Sequence, residues 1–519
     1  MRRGPEFAFD FASQDDAWLR SSLEKFGATC LGARQSLSLY LDTPDGAISK
    51  LGFGLGLRRQ DKMTLTRGPR RAPASGRTRW TRFVEELSPA PHTRNELEVC
   101  LQNDAVREAL ELSVSRDAEE SFFALQFGGA WLEICVDRSK IAAAGQEFTV
   151  ATARCRQLSG GLTDFLHAVH AIADASKWRL CIEPTLVRAR RRVQADWGSH
   201  VGAFPPRLGR AMDMREAFQT IAQACFDQFL LNEASVRDAR DMEAVHQCRV
   251  ALRRLRTALR LFRLRAGEKT EEHWRGDLAE FSALLRDARD LDVLLCERTR
   301  PLLIASSPVG SAALLNEIKT RRESAYDKLV EALHGPQARR FCLDLVLWIA
   351  AGEFGTPETW NESLVAFMRR RLSKATQNLL ERGDQIETDS EELRHKTRIA
   401  AKNLRYSAEF FEPLASHKTA RKRFKLFIEA LKEIQEILGI HNDQIVASRF
   451  FATLAQEPRT SDPEGCATGV NSALTLAESA TIMPQEEFLR KARRAFRSLA
   501  DARPFWTKIP DGSKPRGQH

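Results

Sequence analysis

Two histidine-led rows of cations hold the residues best suited to chemistry in this chain. Between Ala244 and Phe262 the sequence reads AVHQCRVALRRLRTALRLF. At about 100° per helical residue, His246, Arg249, Arg253, Arg256 and Arg260 fall in one narrow arc. Cys248, Leu252, Leu255, Leu259 and Phe262 fall on roughly the opposite side. Such a helix buries a Leu/Phe stripe and presents four guanidiniums headed by an imidazole. Permanent cations one turn apart repel each other, and are tolerated where water or an anion neutralises them. One such helix alone reads as a solvated basic face. The frame returns, however, as His395, Arg398, Lys402 and Arg405 within HKTRIAAKNLRYSAEFF, with Leu393, Leu404 and Phe411 opposite. Recurrence with both faces in phase points to a duplicated anion site.

Each row is followed by a second signature, LLRDARDLDVLL at 284–295 and ILGIHNDQIVAS at 437–448. They align with Asp290 opposite Asp443, Arg289 opposite Asn442 and Ala288 opposite His441. Arg289 joins the candidate cations. His441 and Asn442 either cap a helix or bond the ligand. Asp290, Asp292 and Asp443 are expected to orient arginines by ion pairing, and Tyr406 to sit at the cavity edge. Glu409 stands where the first row has Arg260, so the first half is expected to contribute more binding energy. His246 and His395 either pack as neutral rings or protonate. An ordinary imidazole has a pKa near 6.5, and adjacent anionic charge favours its cation.

The elements that must position these residues divide by composition. Residues 6 to about 190 carry short strand-like runs such as EFAFDF, SLSLYL, FGLGLRR, MTLTR and WLEICVD. Helical segments interrupt them at Asp16 to Phe26 and Leu162 to Ser176. Residues 192–212 read as a linker rich in Gly and Pro. From Met214 to about Ala502, Leu/Ala/Arg/Glu-rich segments with helical period predict almost pure helix, with a break near Gly352. The expectation is an α+β two-domain chain. An antiparallel β tunnel or barrel with peripheral helices spans 1–191. An all-α domain spans 213–505 as two four-helix halves, about 213–352 and 360–505, and a loose tail spans 506–519.

The 519 residues allow sizeable cores, and a formal net charge of +10 with a pI near 9.2 points to an anionic partner. The ten cysteines show no CxxC and no zinc spacing, which fits a reducing compartment. The opening MRRGPEFAFDFASQDD lacks an apolar signal region. The apolar run FCLDLVLWIAAG is too short to span a bilayer and contains Asp344. A soluble, cytoplasmic protein is expected.

YLDTPDGAISKLGFGLGLRR resembles the YFDTPD…L…G…ALRLR stretch of the CYTH family, the triphosphate tunnel metalloenzymes. That resemblance covers residues 6–191 and implies an eight-stranded antiparallel tunnel. In the family, inward basic residues hold phosphates, and glutamates at alternate positions hold Mg²⁺ or Mn²⁺. The basic positions map to Arg58, Arg67, Arg82 and Arg188, implying residual anion binding or a scaffold that binds nothing. The acidic pattern is worn. The N-terminal signature reads Glu6-Phe7-Ala8-Phe9-Asp10, and the later glutamates are replaced by Thr152, Arg154 and Arg156. Arginine cannot ligate a hard cation and repels it. No metal, cofactor or catalytic residue is expected, with Mg²⁺ or Mn²⁺ relevant only if this domain is an active triphosphatase.

VHQCRVALRRLR, LLRDARDLDVL and HKTRIAAKNLRYSAEFF resemble the CHAD family, conserved-histidine α-helical domains, over about 208–505. This resemblance implies paired helical bundles around a basic cavity, and non-catalytic binding of inorganic polyphosphate, with association with polyphosphate granules. The residues it implicates are His246, Arg249, Arg253, Arg256, Arg260, Arg289, His395, Arg398, Lys402, Arg405, His441 and Asn442. Nucleic acid is the weaker alternative, since there is no zinc finger, RRM signature or base-reading helix. No membrane partner is expected.

Overall fold

The computed structural model describes residues 5–11, 16–60, 80–87, 93–193, 200–263, 269–298, 308–352, 354, 360, 362–386, 391–456 and 484–510. Contacts divide the chain into two units. The first combines Met1–Phe204 with Leu230–Ala244 and Leu333–Ala351; the second combines Pro205–Phe229, Val245–Ala332 and Gly352–His519.

Alternating side chains build the first unit. Its strands are β1 Glu6–Phe11, β2 Thr29–Asp42, β3 Phe53–Gln60, β4 Trp80–Glu86, β5 Glu111–Phe127, β6 Ala130–Ala143, β7 Gln146–Ser159 and β8 Arg179–Leu180. They form one eight-stranded antiparallel sheet in the order β4-β3-β2-β5-β6-β7-β1-β8. Successive side chains point to opposite faces. One face is apolar: Phe123, Leu125, Leu132, Ile134, Ala153 and Cys155 are buried. Helix α5 (below) lies on β5 and β6 and buries Phe165, Val169 and Ile172. The other face is buried yet polar, with Ser36, Ser38, Arg116, Glu120, Asp137 and Ser139 all below one-tenth exposed.

The helices of this unit are α1 Asp16–Lys25, α2 Ala47–Lys50, α3 Arg94–Gln102, α4 Asp104–Glu108, α5 Leu162–Ala175 and α6 Thr185–Val193. A capping box starts α3: the Thr93 hydroxyl accepts from the Glu96 backbone N–H, and the Glu96 carboxylate accepts from Thr93 N–H at 2.6 Å.

The second set of helices is α7 Met214–Ala239, α8 Met242–Phe262, α9 Lys269–Val293, α10 Pro308–His334, α11 Pro336–Ala351, α12 Leu364–Asp384, α13 Glu391–Phe410, α14 Lys418–Gln456 and α15 Gln485–Asp501. A π-helical turn, Leu294–Arg298, extends α9. Between α7 and α8, Arg240 takes φ 51°, and the Asp241 carboxylate accepts from Ala244 N–H at 2.6 Å. That contact caps the helix bearing the first basic row.

Two compositional expectations change. The boundary is not a clean cut near residue 192, because α11 groups with the first unit. Its apolar sequence packs on α5, where Arg339 donates to Asp174 at 3.1 Å and His170 meets Asp344 at 2.8 Å. Nor is the tail loose from residue 506. A 3-10 turn, Phe505–Lys508, buries Phe505 and Trp506 against Phe424 and Phe427 of α14. The Trp506 indole N–H donates to Ser373 Oγ at 3.0 Å. Two adjacent aromatics bury more apolar surface than their ordering costs.

In the second unit, α12, α13, α14 and α15 pack in a ring: α12 on α13, α13 on α14, α14 on α15 and α15 on α12. Helices α7, α8, α9 and α10 join through Arg254 Nη1 to Gln228 Oε1 at 2.9 Å, Arg256 Nη2 to Leu278 O at 3.1 Å, and Asp292 with Arg322. Phe262 against Phe367 (4.9 Å) and Thr257 donating to Asn403 (3.3 Å) link the two sets.

Candidate functional site

Helix α8 buries Cys248, Leu252, Leu255, Leu259 and Phe262, so its opposite arc must face away from the core. That arc and the corresponding arc of α13 line one cavity of about 1490 Å³. His246, Arg249, Arg253, Arg256 and Arg260 enter it from α8, Arg286 and Arg289 from α9, and His395 and Arg398 from α13. Helix α10 adds Arg321 and Lys328. Among the described residues the lining therefore holds eight arginines, one lysine and two histidines against four carboxylates: Asp287, Asp290, Glu391 and Glu392. Phe450 is the single aromatic among the described lining residues.

This concentration of charge leaves a mark on the cations. Arg249, Arg256 and Arg260 all have pKa values pulled below the ordinary guanidinium value, first by burial and then by neighbouring arginines. Asp290, 3.4 Å from Arg249, opposes the effect there. An anion entering the cavity would relieve the same repulsion.

Asp292 faces away from the ligand space. It is fully buried, accepts from Arg322 Nε at 2.7 Å and from the Tyr326 hydroxyl at 2.8 Å, and so fixes α9 to α10. Burial raises its pKa, against the pull of Tyr326 and Arg322. The pairing predicted for Asp292 thus goes to a residue adjacent to cavity-lining Arg321.

Eight of the candidate residues meet around the cavity. Lys402 and Arg405 do not line it. Arg405 is taken up by Glu409 (2.7 Å) and the Gln435 side-chain oxygen (3.1 Å), and its guanidinium lies over Tyr406 (4.7 Å). The acid noted at position 409 thus draws the last cation of the second row away. The side chains of His441 and Asn442 lie outside the described residues. Arg286, Arg321 and Lys328 escaped the sequence reading. Arg286 precedes Arg289 by three residues, and Arg321 precedes Lys328 by seven, so helical spacing was the available signal.

The polar face of the sheet encloses a second cavity of about 340 Å³, lined in part by Arg34, Arg58, Arg116, Arg154, Glu85, Glu120, Asp137 and Glu183. Arg58 donates to Ser38 Oγ at 3.1 Å and stacks over Phe83 at 4.4 Å. Arg82 is exposed on the other side of β4 from Glu85, because strand parity separates them. Arg188 is held by Asp10 (3.4 Å) and Cys181 (3.6 Å) and is not in the lining. Arg67 lies outside the described residues. Arg34, Arg116 and Arg154, which the sequence reading did not propose as anion ligands, are the other cavity arginines.

The donors here do not fit a divalent metal. Glu120 holds Arg34 at 2.5 Å and Arg154 at 3.7 Å. Asp137 pairs with Arg116 and accepts from Ser139 Oγ at 2.6 Å. A hard cation needs free carboxylate oxygens, whereas these are occupied by guanidiniums. Among the described residues no group of three or more His, Cys, Asp or Glu is placed to hold a metal. Burial raises the Glu183 carboxyl to about 7, despite Arg191 and Arg188.

A helical unit organised around a histidine-headed basic cavity, in a chain that also carries an eight-stranded antiparallel sheet, is the class the geometry defines. Residues 220–452 match the family model of the CHAD domain. The CHAD domain from the plant Ricinus communis is 28% identical, with 57% of this chain and 96% of that chain covered, at a TM-score of 0.49. PptA from Streptomyces chartreusis is 19% identical over 56% of this chain and 99% of its own, at 0.39. The sheet portion is similar to HpAC1 from Hippeastrum, an adenylyl cyclase candidate described as revealing a dominant triphosphatase activity. It is 15% identical over 36% of this chain and 95% of that chain, at 0.22. No curated protein matches the chain. Among the described residues no helix is long and apolar enough to cross a membrane.

Proposed function

We propose that the helical unit binds inorganic polyphosphate in the 1490 Å³ cavity and does not turn it over. The observation that supports this most is the convergence of both histidine-led helices, α8 and α13, on one space. Polyphosphate carries about one charge per residue on a thin chain without bases. It needs many cations along a groove and no stacking platform. Arginine forks bridge two phosphate oxygens, and each charge-assisted hydrogen bond contributes roughly 1.5–3 kcal/mol before costs. Single-stranded nucleic acid sites place successive bases on aromatic rings; among the described lining residues only Phe450 is offered. Association with polyphosphate granules in the cytoplasm follows from the same reading.

Metal-dependent triphosphate hydrolysis by the sheet unit is the weaker reading, because Glu120 and Asp137 are paired with arginines. The test is competition at matched phosphate concentration and fixed salt. Polyphosphate of about ten residues should remain bound against a large excess of single-stranded DNA. Displacement at comparable phosphate would defeat the proposed preference.

A further inference from the structure

A second band of cations lies away from the cavity. On α15, Arg490, Arg493, Arg494 and Arg497 are exposed at helical spacing, while Phe488, Ala492, Ala495, Phe496 and Leu499 are buried on the other side. On α14, Lys418, Arg421, Lys422, Lys425 and Lys432 are exposed likewise, over buried Ala420, Phe424, Phe427 and Leu431. The two helices pack together. The 3-10 turn after α15 ties its end to the start of α14, with Phe505 against Phe424 at 5.1 Å and Arg423 donating to Thr507 Oγ1 at 3.2 Å. The same faces carry Glu429, Glu436, Glu486 and Asp501, so nine exposed cations meet four acids.

In the four-helix ring, α15 stands across from α13, the helix that brings His395 and Arg398 to the cavity. Among the described residues no cavity-lining residue comes from α15, and α14 contributes only Phe450, eighteen residues after Lys432. This band is therefore a separate surface of the same unit. Its chemistry is narrow. Phe424, Phe427, Phe488 and Phe496, which flank the cations, are buried, and the large apolar residues exposed on these helices among the described residues are Leu426 and Ile440. Among the described residues there is no aromatic row to stack bases and no apolar edge to enter a bilayer.

We propose that the α14/α15 face is an auxiliary track for long-chain polyphosphate, holding the length of polymer that extends beyond the cavity. The inference rests on the polyphosphate reading of the cavity. A chain already held at one site presents its remainder to the second at high local concentration, so weak exposed contacts add affinity only when the polymer is long enough to reach both.

The test compares chains of about ten and about a hundred phosphates on the full protein and on Arg490→Glu/Arg494→Glu/Arg497→Glu. Long-chain affinity should fall at least about tenfold, and the slope of log affinity against log salt should drop by about two. Short-chain affinity should stay within about twofold. Lys418→Glu/Lys422→Glu/Lys425→Glu, on the neighbouring helix, should reproduce the loss, which excludes local misfolding of α15. Unchanged long-chain affinity overturns the proposal, as does an equal loss for both lengths or a loss confined to duplex DNA or anionic vesicles. Failure of the unaltered protein to bind the short chain defeats the cavity reading and with it an auxiliary role, whereas retained short-chain binding with unchanged long-chain affinity in the variants defeats the track alone.

Discussion

At the scale of single residues, identity matters less than what each side chain is already engaged to. Arg249, Arg253, Arg256 and Arg260 reach one cavity, whereas Arg405, in the same sequence frame, is drawn to Glu409. His246 and His395 sit among these cations. Phosphate beside an imidazole favours its cation, so binding accompanied by proton uptake weakens with rising pH. Polyphosphate should bind more tightly at pH 6 than at pH 8 in calorimetric titrations at fixed salt. His246→Gln/His395→Gln should flatten that difference, and equal affinity of the unaltered protein at both pH values would remove the histidines from the site. These rows were legible in the sequence because helical period preserves spacing as direction. The loss of Arg405 was not, since a cation one turn before Glu409 can face either the cavity or its own helix. Arg58 and Arg82 were both placed by family resemblance; Arg58 lines the sheet cavity, while Arg82 lies on the other face of its strand.

At the scale of elements, buried ion pairs fix the helices that carry the cations. Asp292 is fully buried between Arg322 and Tyr326. Removing one partner of such a group leaves the other uncompensated, at a cost of about 3 kcal/mol. Asp292→Ala should destabilise the protein by about that amount in denaturant titrations; a change below about 0.5 kcal/mol would show that this contact does not fix α9 to α10. A second contact, His170 with Asp344, joins α5 to α11. The hydrogen bond to Asp344 raises the His170 pKa above 6.5, against burial and Arg340, with Asp174 adding to the rise. A raised histidine pKa contributes stability that is fully present below the unfolded value and is lost as pH rises through the folded value. The imidazole is 42% exposed, so screening keeps the effect small. Between pH 6 and pH 8 the unaltered protein should lose about 1 °C of thermal stability relative to His170→Asn, and parallel pH profiles would refute the contribution. Helix and strand types were readable from periodicity. The partners of α11 were not, because an apolar helix announces burial without naming the surface that covers it.

At the scale of the molecule, the described lining of the sheet cavity is balanced, four arginines facing four carboxylates, and that of the helical cavity is strongly positive. Balanced charge satisfies itself, while unbalanced charge needs a guest. The CHAD motifs and the duplication were visible in the sequence because their residues are local to two helices. The balance in the sheet unit was hidden, since Arg34 and Glu120 are 86 residues apart and meet only through strand register. The decisive measurement is a titration of the full protein with polyphosphate of about ten residues, set beside Arg249→Glu/Arg398→Glu and the equal charge change Arg94→Glu/Arg107→Glu on exposed helices of the first unit. Binding should fall at least about a hundredfold in the first variant, with a flatter salt dependence, and stay within about threefold in the second. Equal losses in the two variants would mean that net charge alone attracts the polymer, and would contradict binding in the shared cavity.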